Sequence, residues 1–245
     1  MSSSVASVLT GAWGAAAVAG LAYGGFAYAS LWPGSRIFGE ALIAPERPGE
    51  LALTFDDGPN RTWTPRLLDV LASHELRATF FLLGERAQSE PEIVRRIAAA
   101  GHLIGNHSWD HPNLAQSSAE RIRRELRQTQ DALQQIAGAQ VKFFRPPFGA
   151  RRPAVFRIAR EMGLQLVLWN AMTSDWSEPS AERIAQRLSA RIDALRRRGL
   201  AANIVLHDGG HRHPRVNRGP SVNAAELLIA QHKQMCRFVT LDAWV

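Results

Sequence analysis

Hydrophobic and polar positions along this chain fall into a repeated strand–helix alternation. Leu51, Leu53 and Phe55 alternate with Ala52 and Thr54, an apolar-rich run of strand length that Gly58-Pro59 breaks. Thr62–Leu76 then places Leu67, Leu68, Val70 and Leu71 on an apolar helical face, with Pro65 in the first turn. Ala78–Leu83 is apolar throughout, as expected of a strand buried on both faces. The same logic predicts helices over Glu90–Ala100, Ser117–Ala137, Arg152–Met162, Ser180–Arg198 and Asn223–Met235, the first four followed directly by glycine. Strands are predicted at His102–Gly105, Lys142–Phe144, Leu164–Trp169, Asn203–Leu206 and Arg237–Leu241.

Such an alternation implies parallel strands joined by crossover helices, in a barrel or an open wound sheet. Both architectures bind ligands at the carboxyl ends of their strands. The polar, Gly/Pro-rich clusters fall at those ends: Asp56-Asp57, His107–His111, Arg145–Gly149, Asp175-Trp176 and His207-Asp208. No GxGxxG or GxxxxGK[ST] fingerprint follows a strand, which argues against a nucleotide-binding fold.

The amino-terminal segment has a different character. From Ser2 to Ser35 there is no charged side chain, and Val5–Trp32 exceeds the ~20 residues that a bilayer core needs. It reads as one transmembrane helix, with Trp13, Tyr23, Tyr28 and Trp32 as candidate interfacial anchors. Ala27-Tyr28-Ala29 resembles a signal cleavage site, but the segment is long and uncharged at its start for a secretion signal; a buried core helix is the other alternative. Residues 1–35 are thus expected to be a membrane anchor, 36–50 a Pro/Gly-containing linker and 51–245 the strand–helix domain. Arg36 and Arg47, beside Glu40 and Glu46, bias the carboxyl-terminal side only weakly toward the cytoplasm.

Composition narrows the partners. The 245 residues, 46% hydrophobic, suit one domain with a large core plus that segment. The single cysteine, Cys236, excludes an internal disulfide and a thiolate metal cluster. A net charge of +7 permits acidic polymers or anionic membranes as neighbours. The arginines are interleaved with glutamates in Ala119–Arg127 and Ala181–Arg198, and no aromatic RNA motif is present, so no nucleic-acid partner is expected.

Two features carry candidate chemistry. Asp56 and Asp57 are neighbours at a strand end, so one can hold a cation while the other faces a reactant; the same residues also suit an ordinary turn. His107 and His111 are four apart, a spacing that on one helical turn puts both imidazoles on one side, with Pro112 ending the turn. Two histidines and a carboxylate leave coordination positions open for water and substrate, as in catalytic zinc sites, although non-haem iron uses the same set. Among the aromatics, Trp63, Trp109 and Trp176 are candidates for stacking on sugar rings, Trp109 foremost because it lies inside the histidine motif. His211 and His213, in a Gly/Pro/Arg-rich loop, read as solvated.

TFDDGP at Thr54–Pro59, HSWDH at His107–His111, RPPFG at Arg145–Gly149, SDW at Ser174–Trp176 and LHD at Leu206–Asp208 occur in this order. From Glu50 to Val245 the chain thereby resembles the polysaccharide deacetylases, the NodB-homology or carbohydrate esterase family 4 enzymes. The resemblance implies a distorted (β/α) barrel of seven or eight strands and one divalent ion, zinc first and cobalt or another ion as alternatives. It implies Asp57, His107 and His111 as metal ligands, Asp56 as catalytic base, Arg145 as its partner, His207 as general acid and Asp175 as the carboxylate behind it. Trp176 and Leu206 resemble walls of an acetyl pocket, and Phe148 supplies a backbone N–H for an oxyanion. The chain departs from the family where Met172 replaces an expected aspartate and Phe148 a tyrosine. The implied activity is removal of N-acetyl groups from the amino sugars of a polysaccharide or cell-wall glycan, outside the cytoplasm. Alternatives are a xylan-type O-acetyl esterase, a deacylase of lipid-linked sugars and, in another class, a non-catalytic glycan-binding module.

Overall fold

A computed structural model describes residues 24–138 and 140–245. Eight strands form a single sheet: β1 (Glu50–Gly58), β2 (Thr79–Leu82), β3 (Leu103–Asn106), β4 (Phe143–Phe144), β5 (Gln165–Leu166), β6 (Ala171–Met172), β7 (Ala202–His207) and β8 (Arg237–Val239). Their order is β5-β4-β3-β2-β1-β7-β6, with β8 also paired to β1, and every pairing is parallel. Helices Trp63–Ser73, Pro91–Ala99, Ala119–Ala137, Pro153–Glu161, Ala181–Arg197 and Gly219–His232 supply the crossovers. Local sequence fixes their ends: the hydroxyls of Ser118 and Ser180 accept the N–H groups of Arg121 and Arg183, and Gly138 closes its helix at φ 65°.

The sheet is curled. The strand expected at Leu164–Trp169 is divided: β5 pairs with β4, whereas β6, four residues on, pairs with β7 at the other end of the strand order. So short a link joins the two edges only if the sheet bends round to bring them together. Side-chain amides fill the seam: Asn170 accepts from the Asn203 N–H and donates to the Ala201 carbonyl, while Asn203 donates to Leu168 and Ile43. Polar groups take the place of ladder bonds where the strands part.

Strand alternation then separates two cores. Leu51, Leu53 and Phe55 of β1 pack outward with the helices, in a cluster that includes Leu67, Leu188 and Leu228. Ala52 faces inward with Phe81, Phe143, Val167 and Trp244. The inward face is also polar: Thr54, Asn203 and Arg145 are fully buried there.

Three further expectations are corrected. A short helix, Gly84–Ser89, was not predicted; at six residues it has too few positions to show a helical period. His107–His111 contains no helical turn, because Ser108 (φ 68°) and His111 (φ 65°) are left-handed. The stretch read as a linker lies against the sheet, with Leu42 bridged to Val167 and the Ala201 N–H bonded to the Pro45 carbonyl. Of the expected membrane span, residues 1–23 lie outside the described residues and 24–31 are helical. Among the described residues no helix is long and apolar enough to cross a membrane.

Candidate active site

The carboxyl ends of β1, β3, β4, β6 and β7 surround a cavity of about 550 Å³ lined by Asp56, Asp57, His107, His111, Phe148, Trp176 and His207, among others. Asp56 and His207 are register partners on β1 and β7, so their side chains leave the sheet on the same face. Asp57 breaks that alternation. It is left-handed (φ 68°) at an irregularity in the β1–β2 register, which turns its carboxylate away from that of Asp56. Gly209 permits the closure, because a Cβ there would collide with the Asp57 carbonyl.

Asp57, His107 and His111 are buried, and one ligand atom from each lies within 4.8 Å of the others. Asp57 Oδ1 is 3.4 Å from His107 Nε2 and 3.2 Å from His111 Nε2. The Arg145 carbonyl lies 2.8 Å from His107 Nδ1. A carbonyl only accepts, so Nδ1 carries a proton and Nε2 is the nitrogen turned toward Asp57. Burial pushes the His111 imidazole down to about 3 despite the neighbouring Asp57 charge, so this ring is a neutral donor. Asp57 is held well below the usual carboxylate range: burial opposes this, but the surrounding imidazoles outweigh it. Its Oδ1 has no hydrogen-bond partner. A buried carboxylate oxygen without a hydrogen-bond partner, facing the Nε2 atoms of two buried histidines, is an arrangement that a divalent cation resolves, so the residues fit a metal.

The second carboxylate has a separate support. Arg145, itself without exposure, donates from Nη1 to Asp56 Oδ1 and to Thr54 Oγ1, both at 2.7 Å, and from Nη2 to Asn203 Oδ1 at 3.3 Å. Its guanidinium stacks over Phe81 with Cζ 4.1 Å from the ring centre. Asp56 is thereby fixed at the cavity wall, almost fully buried, with Oδ2 3.9 Å from His107 Nε2. Such charge-assisted bonds hold geometry where water cannot compete.

His207 forms the other half. Its Nδ1 lies 2.9 Å from Asp175 Oδ1, its backbone N–H donates to Oδ2 at 2.9 Å, and the Ser221 hydroxyl donates to Oδ2 at 2.7 Å. Burial alone would favour the neutral ring, but the Asp175 charge and hydrogen bond outweigh it and raise His207 to about 9. Asp175 therefore reaches His207 although Met172 occupies the earlier motif position; Met172 lines the cavity instead. Trp176 stands edge-on to His207 at 5.4 Å.

Two expected site residues lie elsewhere. Leu206 is fully buried in the outward core, since it alternates with His207; Val205, its neighbour on the other face, lines the cavity. Trp109 does not line the cavity: its ring packs on Gly84, whose missing Cβ leaves it room. The residue most clearly missed is His211. It stacks on His111 at 4.1 Å and 14°, and its Nδ1 lies 3.4 Å from Asp57 Oδ2. Phe148 meets His111 edge-on at 4.5 Å from the other direction. Glu125 was missed as well: its buried Oε2 accepts the Trp109 and Asp110 N–H groups at 3.0 and 3.3 Å, tying down the histidine loop. An acid within the apolar face of Ile122, Leu126 and Leu133 was the available signal.

Comparison with known proteins places this arrangement. The sequence profile described as Polysaccharide deacetylase matches residues 44–167. A peptidoglycan-N-acetylglucosamine deacetylase of Bacillus cereus is 38% identical over 204 residues, 83% of this chain and 70% of that protein. A chitooligosaccharide deacetylase of Azorhizobium caulinodans is 33% identical over 174 residues, 71% of this chain and 80% of that one. Among solved structures, a peptidoglycan N-acetylglucosamine deacetylase in complex with a hydroxybenzamide-type ligand superposes with a TM-score of 0.73 at 38% identity, covering 83% of this chain and 91% of that one.

Proposed function

Because this chain belongs to the polysaccharide deacetylase family, we infer that it is a metal-dependent hydrolase that removes N-acetyl groups from the amino sugars of a polysaccharide or cell-wall glycan. The observation that carries this reading is a single cavity where the Asp57–His107–His111 cluster, the Asp56–Arg145 pair and the Asp175–His207 pair meet.

Asp57, His107 and His111 would hold the ion, with zinc proposed first for this nitrogen-and-oxygen donor set. When bound, a divalent ion polarises the acetyl carbonyl and makes water acidic enough to be a nucleophile. Asp56, oriented by Arg145, takes one proton from that water as its oxygen bonds to the acetyl carbon. The Phe148 backbone N–H is assigned to the developing oxyanion. As the carbon–nitrogen bond breaks, His207 gives a proton to the departing nitrogen, which otherwise leaves poorly as an amide anion. Free amine and acetate are the products. A binding module without catalysis would have no need for a buried base and a charged acid on adjacent strands. The uncharged run from Ser2 to Ser35 supports a membrane anchor, with the catalytic domain assigned to the extracytoplasmic side.

The test is acetate release from N-acetylglucosamine oligomers and from acetylated xylan, with and without chelator. Release from the oligomers that stops in chelator and returns with zinc or cobalt is expected. Full activity in chelator would remove the metal from the account, and preference for xylan would reassign the enzyme as an esterase.

A further inference from the structure

Arg151 has no part in the chemistry above, yet it is fully buried. Its Nη1 donates to the carbonyls of Ser30 and Gly149 at 3.1 and 3.0 Å, and its Nη2 to those of Trp32 and Ser35 at 2.6 and 3.2 Å. The Arg151 N–H also donates to the Ser30 carbonyl. A buried guanidinium is tolerated where most of its donors are filled, and here backbone carbonyls take both terminal nitrogens, leaving only Nε without a partner. The outcome is mechanical. Two acceptors sharing one nitrogen lie within about 6 Å of each other, so Ser30 is fastened beside the peptide that follows Phe148 in the cavity wall.

The segment so fastened carries an unusual surface. Phe26, Tyr28, Leu31, Trp32 and Ile37 are all exposed, between 45% and 66%. Tyr28 stacks on Trp32 at 6.3 Å and 15°. Arg36 follows directly, and its side chain is 81% exposed. Upstream, Ser2–Tyr23 has no charged side chain. Amphipathic aromatics and a basic residue at the end of an uncharged run are what the water–lipid boundary accommodates. Five exposed large apolar side chains within twelve residues mark an interaction site rather than a solvated face.

We propose that residues 26–37 seat on the surface of a lipid bilayer, and that Arg151 couples this seat rigidly to the Phe148 side of the cavity. The preferred substrate is then a glycan tethered to the same membrane by a lipid, rather than one diffusing freely. This rests on the deacetylase reading. Confinement of enzyme and substrate to one surface raises effective concentration only when the seat holds the cavity at that surface, rather than leaving it merely tethered by the upstream run, so the gain should lie in KM and be on the order of 10-fold to 100-fold.

The test uses the full chain reconstituted in phosphatidylethanolamine–phosphatidylglycerol vesicles. Acetate release is compared for a soluble N-acetylglucosamine oligomer and for the same oligomer carried on a lipid in those vesicles. The tethered oligomer is expected to show at least about 10-fold higher kcat/KM, through KM. A Tyr28→Ser, Trp32→Ser double variant, altered only at exposed positions, should lose that preference and keep its kcat/KM on the soluble oligomer. In Arg151→Lys, which lacks the forked donors, the ratio of tethered to soluble kcat/KM should fall; a ratio is insensitive to the fraction folded. Equal kcat/KM on both substrates, or an unchanged preference in the double variant or in Arg151→Lys, overturns the proposal. So does loss of self-association in the double variant with the preference intact, which assigns the face to a second copy. No release from either substrate would instead sink the deacetylase reading.

Discussion

Replacing Asp175 by Asn should convert a pH-tolerant enzyme into one that fails in mild alkali. Asn keeps the shape of the site, and its single oxygen can still accept the His207 and Ser221 donors now bound to Oδ2. Its amide nitrogen then faces His207 Nδ1, 2.9 Å away, where a carboxylate oxygen stood. A donor in that place favours an unprotonated Nδ1, and so the neutral ring. The charge and hydrogen bond of Asp175 are gone and only the weaker pull of Asp57 and Asp56 still opposes burial, so His207 falls from about 9 toward its ordinary value of 6.5. A drop of that size corresponds to about 3 kcal/mol between the protonated and neutral ring. The sign follows from the role: the acid must begin protonated, so loss grows with pH. At pH 8 the protonated fraction falls from about nine-tenths to roughly one-thirtieth, and kcat/KM with it by about 30-fold. At pH 6 the titration effect should be less than about 2-fold. The assay is the pH profile of kcat/KM for acetate release by the metal-loaded enzyme, from pH 5.5 to 9.5. A uniform loss across that range, or a basic limb that stays put, would refute the assignment of His207 as the acid sustained by Asp175.

Two more substitutions separate the roles within the cavity. Asp56→Asn should lower kcat by about 10²-fold to 10⁴-fold, while metal content measured by atomic emission is unchanged; wild-type turnover in that variant would remove Asp56 as the base. His211→Ala should weaken metal binding about 10-fold, because it frees Asp57 Oδ2 and unstacks His111. Competition with a chromophoric chelator reads this directly, and an unaltered affinity would return His211 to the solvated loop expected from sequence.

Much of this site was legible because its residues sit at strand ends, and strand ends are marked by composition. Asp56-Asp57 and His207-Asp208 interrupt apolar runs, and glycine or proline follows nearby. What stayed hidden depends on distances that periodicity does not encode. His211 lies four residues beyond His207 in a polar loop, and only the folding of that loop over β1 brings it against Asp57. The helical turn expected at His107–His111 failed because Ser108 and His111 adopt left-handed backbone, a conformation costing on the order of 1 kcal/mol per residue outside glycine. Asp57 and Phe148 do the same at φ 68° and 59°. Spacing pointed to the two histidines that the structure brings together, but for the wrong local reason: the loop, not a helix, turns both imidazoles to one oxygen. Leu206 illustrates the reverse error, where family position suggested a pocket wall and simple alternation with His207 already excluded it.

That alternation bears on catalysis itself. The proposed base, Asp56, and the proposed acid, His207, are not joined by any direct bond; their relation is carried by the parallel ladder of β1 and β7, in which Asp56 is opposite His207 and Thr54 opposite Val205. The members of that face do the aligning: Thr54 donates across to the Ile204 carbonyl at 2.7 Å and accepts from Arg145, and Arg145 reaches Asp56 and Asn203. A slip of one residue would turn either Asp56 or His207 into the helix-packed core and bring Phe55 or Leu206 into the cavity. Arg145 opposes the slip, since its donors would lose buried acceptors on both strands at once. Its desolvation is thus the cost of a fixed register, and register sets the separation between the proton taken from water and the proton given to nitrogen.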